Sequence, residues 1–326
     1  MPAPKFNTAA ILSSDHSQKF MKFFSKSVLW FIFIALIIFA SILSPRFLTQ
    51  TNIFNVLRQI SIMGTVAVGM TFVIISDGVD LSVGGVLALS CVLVPIFAPM
   101  VGGNMLLVII LCLLVGAAVG TVTGVLIAYG KMQPFMATFG MATVAEGIGF
   151  QLSGGQPILI GDARWVGFGA GSTFGFPNMA IVFLSVIVIG QFVISKTSFG
   201  INTYAIGNNL VATEMCGVRT KWVKAGCYII SATLAAAGGL LMVTRIGIGD
   251  PGVGDGYALD VIAAVIVGGT RMGGGFGSVV NTLLGAGIIG VLNNVFNLLG
   301  VPPYPQMIFK GVVIIFAVLM GQVRKR

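Results

Sequence analysis

Long apolar runs recur along almost the whole chain, and they restrict its fold more than any other feature. A helix rises ~1.5 Å per residue, so about 20 apolar residues match the ~30 Å hydrocarbon core of a bilayer. The runs are 28–44, 60–76, 81–100, 105–129, 134–152, 178–195, 226–244, 258–270, 279–299 and 305–321. They predict an all-α integral membrane protein, a polytopic bundle of about ten transmembrane helices. The eighth run is short and flanked by glycines, so we expect a tilted, broken or re-entrant helix there.

The composition leads to the same class by a separate route. Of the 326 residues, 56% are hydrophobic and only 8% are charged, whereas soluble domains carry roughly 25% charged residues. So few charged side chains leave most of a globule of this size without polar cover. The solvent of the exterior is therefore expected to be lipid.

Lys and Arg are unevenly distributed among the connections between the runs. Such residues prefer cytoplasmic connections. If the N-terminus is inside and the chain crosses ten times, thirteen of the 18 Lys and Arg residues lie on the inner side and four on the outer side, and Lys310 lies within the last run. The inner set is Lys5, Lys19, Lys22, Lys26, Lys131, Lys196, Arg219, Lys221, Lys224, Arg271, Arg324, Lys325 and Arg326, and the outer set is Arg46, Arg58, Arg164 and Arg245. Both termini are predicted to be cytoplasmic. The domains are then a tail over 1–27, a transmembrane domain over 28–321 whose largest cytoplasmic loop is 196–225, and a tail over 322–326.

Several chemistries have no support in the sequence. The basic residues are scattered, which disfavours a nucleic-acid partner, and no GxxxxGK[ST] loop is present to hold ATP. A GxGxxG match at Gly285, Gly287 and Gly290 lies inside an apolar run, where a dinucleotide site is not expected. One histidine, His16, and four cysteines without a CxxC pair predict no metal site. The chain is thus expected to hold no cofactor, and ATP-driven work would need a separate ATPase.

Acidic residues within or beside the apolar runs are candidates for a solute pathway or gate. A carboxylate near the bilayer centre costs about 3 kcal/mol on insertion scales and needs a partner or an aqueous cavity. Glu146, near the middle of the fifth run, either faces the pathway or pairs with a neighbouring hydroxyl group. Asp80 and Ser82 lie at the start of the third run, and Asp260 at the start of the eighth. For both aspartates we favour capping of backbone N–H groups, with substrate contact as the alternative.

Amides and a lysine complete the candidate pathway residues. Asn293, Asn294 and Asn297 cluster on one side of the ninth run. Amides donate and accept together, which suits a sugar path, and hydrogen bonding between helices explains them equally well. Lys310 is expected to extend outward to the membrane interface.

Small residues form a ladder in the fourth run, at Gly116, Gly120 and Gly124. Glycines at this spacing share one helix face and allow another backbone to approach closely. The ladder therefore predicts helix packing.

Three stretches, in order along the chain, resemble one protein family. They are GMTFVIISDGVDLSVG at 69–84, YAIGNN at 204–209 continuing through Ala212 to CGV at 216–218, and LDVIAAVIVGGT at 259–270 followed by GGGFGS at 273–278. By these stretches the chain resembles the ribose-type membrane permeases of ABC sugar importers. Two positions depart from the family pattern, because Asp77 stands where Gly is common and Phe276 where Arg is frequent.

The resemblance implies a type II ABC importer-like permease of the bacterial inner membrane that moves a monosaccharide by alternating access. Its implied partners are a second permease copy or close relative, a cytoplasmic ATPase that binds ATP and Mg²⁺, and a periplasmic or surface-tethered sugar-binding protein. The alternatives are an ion-coupled secondary transporter of a small polar solute, in which Glu146 and the aspartates would be the coupling groups, and a membrane enzyme.

The second stretch falls in the largest cytoplasmic loop, where the sequence predicts a short helix over 209–216 that ends at Gly217. We expect this helix to dock on the ATPase. The coupling residues that the resemblance implies are Gly207, Asn208, Asn209, Ala212, Glu214 and Gly217.

Overall fold

The computed structural model describes residues 29–323. The predictions for the tail over 1–27, with its four lysines and His16, and for the last three basic residues lie outside these described residues. The helices are α1 (Leu29–Leu43), α2 (Gln50–Ile75), α3 (Ser82–Met100), α4 (Met105–Ala128), α5 (Pro134–Ser153), α6 (Ala163–Ala170), α7 (Asn178–Lys196), α8 (Ser198–Asn208), α9 (Leu210–Met215), α10 (Thr220–Ile246), α11 (Tyr257–Val267), α12 (Val279–Leu298) and α13 (Pro303–Val323). The strands are β1 (Ile158–Leu159), β2 (Ser172–Thr173), β3 (Phe176–Pro177) and β4 (Ile248–Gly249).

Every predicted apolar run overlaps one helix. Within the described residues, six helices are long and apolar enough to cross a membrane, namely α2, α3, α4, α7, α10 and α12. The eighth run is helical over only 11 residues, as α11. The prediction of a predominantly helical membrane protein is therefore confirmed.

Two central helices begin earlier than their apolar runs. α2 begins at Gln50 and α10 at Thr220, whereas the runs begin at 60 and 226. Apolarity marks only the lipid-embedded or buried part of a helix, while packing and backbone hydrogen bonds continue the helix through polar residues. Asn52, in the added part of α2, is buried because it pairs with an amide of α12.

Two short strand pairs occur in the connections between the helices. β1 pairs with β4 and β2 with β3, both antiparallel. Two-residue strands are too short to show the alternation that predicts a strand from sequence.

Helices α2, α3 and α10 form the centre of the bundle. The apolar window of α2 is 89% buried, against 22% for α4 and 33% for α7. α10 packs on α2, α3 and α4, while α3 packs on α5 and α12 packs on α2 and α11. The peripheral helices expose large apolar side chains, as lipid-facing helices do.

The glycine ladder of α4 lies against α10. At Gly116, Gly120 and Gly124 alike, an added β-carbon would lie 2.7–2.8 Å from a backbone atom of α10. Two helix backbones approach this closely only where the residues at the contact are small, and here the glycines of α4 lie against Ala225, Ala232 and Ala236 of α10.

Gly120→Ala is expected to lower the free energy of unfolding by about 1–3 kcal/mol, because its methyl group would lie 2.7 Å from the Cα of Ile229. Thermal unfolding in detergent measures the effect. The matched control is Gly147→Ala in α5, where nothing lies within 4 Å; there alanine should be neutral or stabilise by about 0.5–1 kcal/mol. Equal midpoints for the two variants would contradict the close contact.

The GxGxxG match lies in the continuous helix α12 and serves packing. A β-carbon at Gly285 would overlap the carbonyl oxygen of Ala264 in α11, and one at Gly287 would lie 3.0 Å from the ring of Phe33 in α1. These contacts leave no room for a dinucleotide.

The chain between β4 and α11 is irregular and runs alongside α3. A β-carbon at Gly84 would lie 2.7 Å from the carbonyl oxygen of Gly254, and one at Gly249 would lie 2.7 Å from that of Cys91. Irregular backbone is tolerated at membrane depth only where protein or water satisfies it. The contact with α3 therefore shields this segment.

Candidate functional site

Residues 76–81, which we call the elbow, connect α2 to α3. One carboxylate oxygen of Asp80 accepts hydrogen bonds from the Ser82 backbone N–H at 3.0 Å and the Ser82 hydroxyl at 2.5 Å. Asp80 thus caps the first turn of α3. Asp77 has φ 58°, a left-handed conformation that Gly adopts freely and Asp tolerates. This explains how Asp occupies a position where the family commonly has Gly.

The elbow also contacts α10 through buried polar groups. The second carboxylate oxygen of Asp80, the Tyr228 hydroxyl and the Ser231 hydroxyl have no hydrogen-bond partner among the described residues. Tyr228 and Ser231 lie near the Asp80 carboxylate, and all three side chains are buried. Asp80 therefore connects the start of α3 to the middle of α10.

The end of α8 contacts both the elbow and the loop at 268–278; we call this contact the junction. Gly207 is so close to the end of α2, where the elbow begins, that a β-carbon would overlap the Ile75 carbonyl oxygen. That oxygen accepts the backbone N–H of Gly275 at 2.9 Å. The Asn208 amide donates to the Gly275 carbonyl at 3.3 Å.

Tyr204 strengthens the junction. Its hydroxyl donates to the Gly277 carbonyl at 2.7 Å. Burial raises the pKa of Tyr204, so the hydroxyl keeps its proton and remains a donor. The three stretches that resemble one family, each separated from the next by at least 40 residues in sequence, thus meet at the junction.

The loop at 196–225 contains two helices rather than the single one predicted. α8 was missed because it carries mixed polar and apolar residues without a clear period. The predicted helix is α9, whose N-terminus is capped by the Asn209 side chain, which accepts from the Ala212 N–H at 3.0 Å. Gly217, with φ 79°, ends the segment, and Glu214 accepts from the Thr220 hydroxyl at 2.7 Å.

One face of α9 presents apolar side chains to solvent. Met215 is 83% exposed and Trp222, at the start of α10, is 68% exposed; Leu210 and Val211 are exposed beside them. We call these four residues the α9 patch. An exposed apolar patch of this kind is typical of a surface that contacts another protein or the membrane.

Glu146 lies in α5 and is half-buried, within electrostatic reach of Asp255, an exposed residue of the irregular segment before α11. Among the described residues, no side chain donates a hydrogen bond to Glu146. Two neighbouring carboxylates with access to solvent are expected beside an aqueous space rather than lipid.

Asp260 and Lys310 form an ion pair between α11 and α13. The Lys310 ammonium lies 2.7 Å from a carboxylate oxygen of Asp260, and each side chain is about a quarter exposed. Two predictions are therefore wrong: Lys310 does not extend outward, and Asp260 is no cap, since α11 begins at Tyr257. The pair forms because each charge at this depth is stabilised far more by the other than by apolar surroundings.

The three asparagines of α12 face different neighbours. Asn294 exchanges two amide hydrogen bonds with Asn52 of α2, at 2.8 and 3.0 Å. Asn297 accepts from the Gln306 amide at 3.2 Å. Asn293 is buried and shares a small cavity with Lys310. At least two of the three therefore serve contacts between helices.

Sequence reasoning did not single out Tyr204, Tyr228, Ser231 or Asp255. Tyr228 and Ser231 are polar residues three apart in an apolar run, so a search for polar pairs on one helix face would have found them. No sequence pattern indicates Asp255, because its proximity to Glu146 depends on where α5 packs. Within residues 29–323, no three His, Cys, Asp or Glu side chains are placed to hold a metal ion.

The chain is similar to known proteins over most of its length. The family model described as branched-chain amino acid transport system, permease component, matches residues 52–318. The chain is 41% identical over 293 residues to the ribose import permease protein of Escherichia coli, covering 88% of this chain and 90% of that protein. It is 44% identical over 291 residues to the ribose import permease protein of Bacillus subtilis, covering 88% of this chain and 89% of that protein. The chain is 31% identical over 301 residues to the L-arabinose ABC transporter permease protein of Azospirillum brasilense, covering 92% of this chain and 88% of that protein. No solved structure gives a significant match.

Proposed function

The chain belongs to the family of branched-chain amino acid transport system permease components, and we propose from this membership that it is the membrane-spanning subunit of an ATP-binding-cassette importer for a monosaccharide. The observation that carries the proposal is the similarity to ribose import permeases at 41–44% identity over 88% of the chain. The relation to an arabinose permease supports a pentose or a similar small sugar as the substrate.

ATP is proposed to bind, with Mg²⁺, to a separate cytoplasmic ATPase. The sequence has no phosphate-binding loop, and the α9 patch offers an apolar surface for a protein partner. α8 and the junction connect this patch to the elbow, so movement of the ATPase would reach α3 and α10 through packed backbone.

The arrangement in the membrane is proposed to be ten crossings of the type II importer kind, with both termini in the cytoplasm. The inner predominance of Lys and Arg supports this orientation. It places the junction and the α9 patch on the cytoplasmic side, and β1 to β4 on the outer side. A second permease copy and an outer sugar-binding protein complete the proposed assembly.

The sugar path is proposed to run beside Glu146 and Asp255, whose carboxylates can accept hydrogen bonds from sugar hydroxyl groups. ATP binding and hydrolysis would switch the assembly between outward-open and inward-open states. No bond of the sugar is broken by this chain.

Reconstitution in liposomes tests the function. Sugar uptake should require the permease, the ATPase, the binding protein and ATP together, and ribose and arabinose are the first sugars to try. Uptake by the permease alone, driven by an ion gradient, would instead establish a secondary transporter.

Val211→Glu in the α9 patch is expected to weaken binding of the ATPase at least tenfold, because a carboxylate would be buried in an apolar contact. Co-purification of the ATPase from detergent measures this. The matched control is Leu159→Glu, at an apolar residue on β1 that is 78% exposed, against 61% for Val211. Because β1 is proposed to lie on the outer side, this variant should retain the ATPase. If both variants retain it, the α9 patch is not the docking surface.

A further inference from the structure

The turn at 172–177 holds an apolar ring in a conformation that its residue type does not favour. β2 and β3 pair through Ser172 with Pro177 and Thr173 with Phe176. The two residues between them, Phe174 and Gly175, both have positive φ, 53° and 79°. Two-residue turns of this kind usually carry Asn-Gly or Asp-Gly. Phe174 is also 95% exposed, so packing within the chain does not explain it.

The turn is fixed rigidly to the start of α7. The Asn178 side chain accepts a hydrogen bond from the Thr173 hydroxyl at 2.7 Å and donates one to the Phe168 carbonyl at 3.1 Å. The Asn178 backbone N–H donates to the Gly171 carbonyl at 3.2 Å. Asn178 is the first residue of α7, so the turn holds Phe174 at one end of a helix that is long and apolar enough to cross a membrane.

An apolar groove continues from the turn along α7. It has a volume of about 440 Å³ and is lined by Phe176, Ile181, Leu184, Ser185, Val188 and Ile189. Its one hydroxyl, that of Ser185, donates to the Ile181 carbonyl within the same helix. The groove therefore offers a ligand no free hydrogen-bond donor, and five of its six lining side chains are apolar, so an apolar occupant fits it best.

We propose that the turn and the groove form a lipid-binding surface, in which a phospholipid acyl chain fills the groove and Phe174 inserts at the headgroup boundary. Phe176 belongs to both the turn and the groove, so the surface is continuous with the lipid-facing side of α7. Aromatic side chains are favoured at this depth of the bilayer. Burial of the ring in lipid compensates for its unfavourable backbone conformation. This surface fixes the outer end of α7 in the membrane independently of any transported sugar.

Site-directed spin labelling tests the proposal, because Cys216 is exposed and the other three cysteines are buried. Phe174→Cys and Ser185→Cys are labelled in a Cys216→Ser background, and Cys216 in the unchanged chain is the aqueous reference. Collision with oxygen and with a water-soluble nickel complex is measured in phosphatidylethanolamine and phosphatidylglycerol vesicles. We expect the labels at 174 and 185 to collide with oxygen in preference to nickel, and the label at 216 to show the reverse.

Three outcomes would overturn the proposal. The label at 174 could be as accessible to nickel as the label at 216. Labels at 185 in two copies could lie in close contact, which would assign the groove to a second copy. The label at 174 could lose nickel access only on addition of the sugar-binding protein, which would assign the turn to that partner. Phe174→Trp, which keeps an aromatic ring, provides a second measurement: its added fluorescence should be quenched by brominated lipid.

Discussion

Lys310→Ala is expected to lower the stability of the folded permease by about 3 kcal/mol, because it leaves the Asp260 carboxylate without its partner at membrane depth. The two charges are 2.7 Å apart and each side chain is about a quarter exposed, so the expected loss lies at the lower end of the range for broken buried pairs. Unfolding in mixed micelles of increasing denaturing detergent measures it. Lys196→Ala, at the exposed end of α7, is the matched control and should be neutral.

Two double variants distinguish the contribution of the ion pair to stability from its contribution to transport. The exchanged pair, Asp260→Lys with Lys310→Asp, should recover most of the lost stability. The uncharged pair, Asp260→Asn with Lys310→Met, should be close to the original stability, since replacing both partners of an ion pair is often neutral. If the uncharged pair folds but no longer imports sugar, at least one of the two charges acts in the transport cycle. If Lys310→Ala alone is as stable as the original chain, the ion pair contributes nothing.

Gly207→Ala is expected to reduce sugar-stimulated ATP hydrolysis at least tenfold while the chain still inserts into the membrane. The new β-carbon would overlap the Ile75 carbonyl oxygen and the Gly275 backbone nitrogen. Those two atoms are themselves joined by a 2.9 Å hydrogen bond, so neither can move without breaking the junction. Overlap with backbone atoms is not relieved by a change of rotamer, and α8 must shift away from the elbow. Hydrolysis is measured with the reconstituted importer.

The control for Gly207→Ala is Gly140→Ala, which also places a methyl group in a helix but meets nothing within 4 Å. It should leave hydrolysis unchanged. Glu214→Gln distinguishes packing from charge, because the amide oxygen can still accept from the Thr220 hydroxyl. A loss of coupling in that variant would therefore come from the missing charge toward the ATPase. Full coupling in Gly207→Ala would show that the junction does not transmit movement.

The junction gives the family resemblance a physical basis. The elbow needs a left-handed residue at 77, α8 needs a residue without a side chain at 207, and the loop at 268–278 needs several positive φ values, which Gly269, Gly273, Gly274 and Gly275 provide. At Gly207 and Gly274 the requirement comes from two backbones that pass close to each other. Phe276 replaces the Arg that is frequent at its position, and its ring lies 4.5 Å from the guanidinium of Arg271. This contact holds the Arg271 guanidinium beside position 276, so the loop still has a cation there.

The sequence alone determined the class of the protein and the approximate place of the six described helices that are long and apolar enough to cross a membrane. Hydropathy is a sum over neighbouring residues, so a run such as 105–129 predicts α4 without knowledge of any other segment. The same local character allowed the prediction of α9 with its end at Gly217, and of the Asp80 cap on α3, because such a signal lies within a few residues of its helix. The cap that Asn209 forms on α9 was not predicted. The glycine spacing of α4 likewise indicated which of its faces another helix would contact.

Only the tertiary structure decided which helix meets which. The pairs Asp260 with Lys310, Asn294 with Asn52 and Asp80 with α10 join residues that are 50 or more positions apart. Each residue taken singly fitted a local explanation, namely a cap, an outward lysine or a pathway amide. A lipid-buried charge or amide is stabilised by whichever partner the packing brings near, and packing depends on the shapes of all the helices together. The convergence of three distant stretches at the junction is a property of the assembled bundle for the same reason.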